Sequence, residues 1–317
     1  MRKESSEGLF VRYEGNPILT SEDWPYSVGA VFNPGAIKIN GEVLLLVRVE
    51  DRRGYSHLTI ARSKDGKKDW KIGVEPALNA DINFQEAEFG LEDPRLVWME
   101  ERQEYLITCV SFFAGVEKGP PGISIIATKD FSNFKRLGQQ LMPLNKDACL
   151  FPKKINGFYA MINRPSIGDR SDMWVSFSPD LQFWGRSKVL LPTRFRMWDE
   201  HRIGLACPPI ETKEGWLILY HGARDTASGT LYRIGLALLD IETLEVIRRS
   251  KEWVFGPHSK AVYEMCGNVD GVVFPCGGVI DDEKNELLLY YGAADSVIGL
   301  AIGNLAHILE YLKKCPA

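Results

Sequence analysis

Apolar residues in this chain come in runs of five to ten before a charge, Gly or Pro interrupts, and runs of that length predict short β-strands. Their arrangement repeats. An X-Pro pair stands at or near the entry to an apolar run at Asn33-Pro34, Asp93-Pro94, Phe151-Pro152, Pro208-Pro209 and Phe274-Pro275, the prolines 60, 58, 57 and 66 residues apart. After each pair comes a short apolar segment, a polar turn and a second apolar segment. The clearest is 36–39, then Asn40-Gly41, then 43–47, since Asn-Gly between apolar runs predicts a tight hairpin. Its counterparts are 95–99 with 105–110, 154–155 with 158–162 across Asn156-Gly157, Ile210 with 216–220, and 279–280 with 287–291. A third apolar run follows in every module, at 58–61, 123–126, 173–176, 234–237 and 298–301. Three of these lead into Ser63-Lys64-Asp65, Thr128-Lys129-Asp130 or Ser178-Pro179-Asp180, one turn used three times. Segments such as 189–191 and 246–247 supply a fourth strand. Four antiparallel strands in a module of about 60 residues, five times over, predict an all-β, five-bladed β-propeller. The alternative, an irregular β-sandwich, does not account for the even spacing. Helix is scarce: residues 304–314, apolar at 305, 308, 309 and 312, are the one amphipathic candidate. With no linker or break in composition, residues 1–317 are expected to form a single domain.

Composition narrows the class. The 317 residues carry 38 Lys plus Arg against 42 Asp plus Glu, a net charge of -4, and are 45% hydrophobic, as in a globular protein with a sizeable core. Disorder, collagen and coiled coil are excluded. The apolar runs fall well short of the roughly 20 residues that span a bilayer, and MRKESSEGLF lacks the apolar stretch of a secretory signal. The expectation is a cytoplasmic protein without a membrane span. Six cysteines, at 109, 149, 207, 266, 276 and 315, lie far apart without CxxC pairs, and are expected to be buried thiols and not zinc ligands. A mildly acidic chain has no electrostatic reason to seek nucleic acid, so a small-molecule partner is expected.

The first strand of each propeller blade lines a central channel, so the strand entries are where chemistry should collect. They carry Asn33, Glu92-Asp93, Lys146-Asp147, the Arg202 stretch before Pro208, and Tyr263-Glu264 before Pro275. The ends of the second strands are equally polar: Arg48-Val49-Glu50-Asp51, Asn163-Arg164, Tyr220-His221-Gly222, and Tyr291-Gly292 with Asp295. Any one of these charges could be a solvated loop entry, but equivalent positions in successive modules converge on the axis. Asp93 taken alone fits a simple Asp-Pro turn. Next to Glu92 at the start of a channel strand, it could also act as a general acid where its surroundings raise its pKa towards neutrality. His221, a lone His after an apolar run, reads more often as a hydrogen-bonded structural residue than as a ligand. No HxH or HxxxH spacing suggests a metal site, and no GxSxG, Walker-type loop or GxGxxG suggests a serine nucleophile, nucleotide or dinucleotide.

Nine motifs then fall in one order: Val31-Phe32-Asn33-Pro34-Gly35-Ala36, Arg48-Val49-Glu50, Leu91-Glu92-Asp93-Pro94-Arg95, Lys146-Asp147-Ala148 with Leu150-Phe151-Pro152, Asn163-Arg164-Pro165, Pro208-Pro209-Ile210 with Gly215-Trp216, Tyr220-His221-Gly222, Tyr263-Glu264, and Tyr290-Tyr291-Gly292-Ala293-Ala294-Asp295. In that order, from about residue 10 to 312, the chain resembles glycoside hydrolase family 130, the β-mannoside phosphorylases. The resemblance implies a five-bladed propeller and an inverting phosphorolysis. Inorganic phosphate attacks the anomeric carbon of a terminal β-mannosyl unit and gives α-mannose 1-phosphate, with no cofactor besides phosphate as co-substrate. It implies Asp93 as general acid, acting through the 3-hydroxyl of the mannosyl unit. It likewise implies Lys146, Arg164, Arg202, His221 and Tyr232 as phosphate ligands, and Asn33, Arg48, Glu50, Asp147 and Asp295 on the sugar. The partners are then a β-mannoside and phosphate, with neither nucleic acid nor membrane, and a homo-oligomer is compatible with the chain. Family members serve β-1,2 and β-1,4 linkages; the chain, without the N-terminal extension of some branches, leans to β-1,2. An exo-acting β-mannosidase on the same scaffold is the alternative, although the basic residues at 146, 164, 202 and 221 favour phosphate. A non-catalytic sugar- or protein-binding propeller would lack that cation cluster.

Overall fold

The computed structural model describes residues 8–84, 86–113, 119–141, 143–166, 168 and 170–316. After a short strand β1 (Val11–Arg12), the chain builds five sheets in sequence. Blade 1 is β2 (Ala30–Ile39), β3 (Glu42–Glu50), β4 (Ser56–Ser63) and β5 (Lys71–Ile72). Blade 2 is β6 (Glu86–Met99), β7 (Glu104–Phe113), β8 (Pro121–Thr128) and β9 (Phe134–Gln140). Blade 3 is β10 (Asn145–Leu150), β11 (Tyr159–Pro165), β12 (Met173–Ser178) and β13 (Gly185–Leu191). In blade 4, β14 (Arg202–Leu205) and β15 (Ile210–Thr212) run one after the other along β16 (Gly215–Thr226), followed by β17 (Gly229–Leu239) and β18 (Val246–Arg249). A short helix α1 (Val262–Met265) precedes blade 5, which is β19 (Val273–Asp281), β20 (Glu286–Ala293) and β21 (Val297–Asn304), and α2 (Leu305–Lys313) follows it. The fourth strand of blade 5 is β1, with Val11 opposite Ile302, so the last sheet is completed by the start of the chain. Strands within each blade pair antiparallel, and blades 1 and 2 touch through one parallel pair, Ser56 and Gly90. This is a five-bladed β-propeller, the predicted fold class.

The packing explains why the strands read as continuous apolar runs. Successive side chains of a strand point to opposite faces, and both faces of a blade are covered by neighbours. In β3, Leu44 and Leu46 enter the cluster shared with blade 2, while Val43, Leu45 and Val47 enter the one shared with blade 5. Two further clusters wedge blades 2, 3 and 4 and blades 4 and 5; in the former, Phe151 meets Trp216 edge-on at 5.0 Å. The α2 helix, its N-terminus capped by the Asn304 side chain accepting from His307 N, buries Ile308 and Leu312 in the cluster of blades 4 and 5.

The predicted turns are present. Asn40 and Gly41, and Asn156 and Gly157, all have positive φ (51°, 78°, 49° and 82°), as a two-residue type I′ hairpin requires. The Ser/Thr-x-Asp turn recurs as expected: Asp65, Asp130 and Asp180 each accept from two successive backbone N–H groups through Oδ1. Asp240 does the same in blade 4 without the Ser or Thr.

The X-Pro pairs are not the element that repeats. Phe151-Pro152 follows β10 and Pro208-Pro209 lies between β14 and β15, so the inner strand of blade 4 begins at Arg202, upstream of the expected hairpin. What recurs in blades 1, 2 and 3 is a β-bulge, at Phe32/Gly35, Glu92/Arg95 and Lys146/Cys149. Its extra residue is left-handed each time: Asn33 (φ 45°), Asp93 (φ 51°) and Asp147 (φ 53°). A bulge frees a position from the ladder, which is why Pro34 and Pro94 are tolerated there and why Ala148 can replace them in blade 3. The cysteines also differ from expectation: 109, 149, 207 and 276 are buried, but Cys315 is half-buried and Cys266 exposed.

Candidate active site

The three bulges place Asn33, Asp93 and Asp147 around one mouth of the channel, where residues of all five blades enclose a cavity of about 350 Å³. On the side of blades 1, 2 and 5 the centre is Arg48, at the end of β3. Its Nη1 donates to Asp93 Oδ1 at 3.0 Å, its Nη2 to Glu92 Oε1 at 2.8 Å and Glu50 Oε1 at 2.9 Å, and its Nε to Ser56 Oγ at 3.0 Å. The guanidinium also lies over the Phe32 ring, 4.5 Å from its centroid. Asn33 Nδ2 donates to the same Oδ1 of Asp93 at 2.9 Å, so both bonds fall on one carboxyl oxygen and leave Oδ2 outside them. Burial pushes the Glu92 carboxyl up in pKa; Asp93 adds to the rise and Arg48 opposes it. Asp295, in the left-handed pair Ala294-Asp295 between β20 and β21, is pushed up to about 6 by burial and by the charge of Asp93.

Blades 3 and 4 supply the opposite environment. Arg164 Nε, on β11, donates to Asp147 Oδ2 at 2.6 Å, and His221 Nε2, on β16, lies 3.3 Å from that oxygen. The other carboxylate oxygen is 3.8 Å from Arg95 Nη2. Burial alone would raise Asp147, but Arg164, His221 and Arg95 outweigh it and hold the carboxylate well below its ordinary range. His221 is 1% exposed and burial lowers its pKa, against the pull of Asp147, and its Nδ1 has no hydrogen-bond partner among the described residues. Its ring packs at a tilt against Phe274 at 4.7 Å and Tyr232 at 6.0 Å. Gly204 on β14 permits this approach, since a Cβ there would strike both Asp147 and His221. Lys146 reaches towards the acidic side, its Nζ 3.9 Å from Glu92 Oε2. Arg202 stands at the rim, with Nε donating to Tyr232 OH at 3.4 Å and Nη2 to Asp225 Oδ1 at 3.5 Å.

Beneath the cavity lies Arg95, fully buried across the axis. It donates to the carbonyls of Ala206 (2.7 Å), Leu205 (2.6 Å) and Asp93 (3.1 Å), joining blade 2 to blade 4 under the site.

Of the residues the sequence singled out, Asn33, Arg48, Asp93, Lys146, Asp147, Arg164, His221, Tyr232 and Asp295 line the cavity, while Glu50 and Arg202 adjoin it through Arg48 and Tyr232. Glu264 does not join them. It lies on α1, fully buried, accepting from Arg12 Nε and Nη2 and from Tyr291 OH, each at 2.7 Å, and so anchors β1 to blade 5. Asp51 bonds Arg53 N and Tyr55 N within its own loop, and Asn163 bonds Asn145 and Ser176 in the blade interior. Phe112, Phe274, Val269 and Val272 also line the cavity and went unselected, because a search for polar strand ends passes over apolar ones. Among the described residues no three His, Cys, Asp or Glu side chains converge as metal ligands would.

The comparisons with known proteins agree with this architecture. The model of glycoside hydrolase family 130, described as beta-1,4-mannooligosaccharide phosphorylase, matches residues 2–314. A beta-1,4-mannooligosaccharide phosphorylase of Ruminococcus albus is 31% identical over 318 residues, covering 95% of this chain and 90% of its own. A 1,2-beta-oligomannan phosphorylase of Thermoanaerobacter sp. is 36% identical over 303 residues, covering 92% and 96%. The solved structure of beta-1,2-mannobiose phosphorylase from Listeria innocua, in complex with beta-1,2-mannobiose, superposes with a TM-score of 0.84 at 32% identity, over 96% of this chain and 99% of that one. Matched from end to end by a family model and by relatives above 30% identity, and folded as the same ring of five sheets, the chain belongs to glycoside hydrolase family 130.

Proposed function

We propose that the protein is an inverting β-mannoside phosphorylase. The observation that carries this reading is the division of one cavity into a carboxyl-rich side around Arg48 and a cation-rich side around Asp147. Names of relatives that act on β-1,2- and β-1,4-mannosides as phosphorylases support it.

Phosphate fits the cation-rich side. Arg164, Lys146 and Arg202 offer charge-assisted donors, and several cations are needed to replace the hydration of an anion and hold it in line with a leaving oxygen. The mannosyl unit then sits among Asn33, Arg48 and Asp295. Asp93 gives its proton, through the 3-hydroxyl of that unit, to the glycosidic oxygen. The bond from the anomeric carbon to that oxygen breaks, and a phosphate oxygen bonds to the opposite face. The products are α-mannose 1-phosphate and the shortened acceptor. An inverting hydrolase needs a second carboxylate to activate water, whereas phosphate arrives as an anion. We assign Asp147, with Arg164, His221 and Arg95 around it, to positioning those cations, not to the sugar.

The test is incubation with β-1,2- and β-1,4-mannobiose, each with and without phosphate. Mannose 1-phosphate formed only with phosphate is the expected product, and the substrate consumed gives the linkage. Free mannose at a rate indifferent to phosphate would establish the β-mannosidase instead.

A further inference from the structure

Beside the cavity, on the side of blades 1 and 2, runs a row of aromatic rings that none of these roles uses. Phe112, near the end of β7, lines the cavity. The Phe89 ring on β6 meets it edge-on, with centroids 5.5 Å apart, and Tyr55 in the loop between β3 and β4 meets Phe89 at 6.1 Å. Phe89 is 40% exposed, and Phe112 and Tyr55 are half-buried. Among the described residues, none of the three belongs to the apolar clusters that hold the blades together, so the fold does not account for them. Cations flank both ends: Lys146 Nζ lies 5.9 Å from the Phe112 centroid, and the Arg53 guanidinium 4.9 Å from that of Tyr55.

We propose that this aromatic ledge binds the acceptor side of the substrate, stacking the reducing-end sugar units beyond the cleaved bond and setting the preference for chain length. The inference rests on the phosphorylase reading. Inversion requires the nucleophile and the leaving oxygen on opposite faces of the anomeric carbon. Arg164, Arg202, His221 and Tyr232 all come from blades 3 and 4, as does Lys146, whose Nζ stands where the two sides meet, 3.9 Å from Glu92 Oε2. The leaving oxygen, and the units attached to it, therefore run towards blades 1 and 2, where Asp93 stands and the ledge begins. A pyranose presents an apolar C–H face and a rim of hydroxyls. Aromatic rings with charged groups at their edges match that pattern, apolar walls with a few placed polar groups being the usual make-up of a small-molecule site. Phe112, inside the cavity, suits the unit next to the cleaved bond, and Phe89 and Tyr55, further out, the unit after it.

The test uses full-length Phe89→Ala and Tyr55→Ala variants, with Phe89→Tyr as the conservative control and thermal unfolding to confirm folding. Mannobiose, mannotriose and mannotetraose of the linkage the wild type cleaves are compared as substrates. By analogy with aromatic pairs, typically about 0.5 to 1.5 kcal/mol, each ring is expected to contribute roughly two- to tenfold in affinity. The alanine variants should raise KM for the triose and tetraose by about that factor. Mannobiose kcat/KM and the phosphate constant should stay within about twofold of wild type, and Phe89→Tyr should restore the longer chains. Equal effects on all three lengths, no effect on any, or a wild type that gains nothing from the third unit would each overturn the ledge. Should the wild type release free mannose without phosphate, the phosphorylase reading fails, yet the same comparison by mannose release still decides the ledge.

Discussion

Arg48 and Arg164 occupy the same place in blades 1 and 3. Each sits on the second strand of its blade, opposite the residue before the bulge, with Phe32 across from Arg48 and Lys146 across from Arg164. Their surroundings nevertheless come out opposite in charge. Arg48 is divided among Glu50, Glu92 and Asp93, so carboxyls outnumber cations there and Glu92 and Asp295 are pushed towards the protonated form. Around Asp147 one carboxylate is divided among Arg164, His221 and Arg95, and it is held ionised. What a buried carboxyl can do is therefore set less by whether a cation is near than by how many others share that cation. A side rich in carboxyls retains a proton and accepts a neutral sugar; a side rich in cations accepts an anion.

The strongest way to break the contrast is at the acid. Asp93→Asn should lower kcat by about 10²- to 10⁴-fold, the usual contribution of general-acid transfer, with the fold and the phosphate constant retained. Near-normal turnover in steady-state phosphorolysis would remove Asp93 from the role. The next effect is on the basic side. Arg164→Ala removes a charge-assisted bond, typically about 1.5 to 3 kcal/mol, and should weaken the apparent phosphate constant roughly ten- to hundredfold while the mannoside constant moves less. Arg202→Ala should cost less, because Arg202 stands at the rim and its contacts are 3.4 and 3.5 Å long. Phosphate titrations in which Arg202→Ala proves the worse variant would reverse the proposed geometry.

The smallest effect is on stability, and the two sides should respond to pH with opposite sign. Asp295 has a folded-state pKa of about 6 against an ordinary 3.8. The folded chain binds that proton more tightly, so its contribution is present below pH 4 and is lost as pH rises through 6. Asp147 and His221 have depressed values, so their contributions are lost as pH falls. Asp295→Asn should flatten the decline in Tm between pH 4 and 7 and leave the acid-side loss unchanged. A variant whose Tm follows the wild-type curve over that range would contradict the buried setting of Asp295.

Much of this was legible in the sequence, for identifiable reasons. Blade count follows from five evenly spaced modules, each with a hairpin and a third apolar run, and the Asn-Gly hairpins from a turn that needs two residues at positive φ. Lys146, Arg164 and His221 could be selected because strand ends in successive blades converge on one axis. The same rule misplaced Glu264: α1 turns it towards Arg12, 252 residues away, and no spacing argument sees such a pair. Arg95 could not be read either. Its partners are the carbonyls of Leu205 and Ala206 in another blade, and a carbonyl leaves no mark on the residue type that carries it.

The left-handed backbone at position 93 also bears on how this site can evolve. Asn, Asp and Gly enter that conformation most readily, whereas other side chains meet a cost of roughly 1 to 2 kcal/mol. A glutamate would keep the carboxylic acid and lengthen its reach, yet it would have to bear that cost, while the replacements the backbone accepts, Asn and Gly, cannot donate the proton. Mutational drift at this position is thus filtered twice, by chain handedness and by acidity, and aspartate passes both filters.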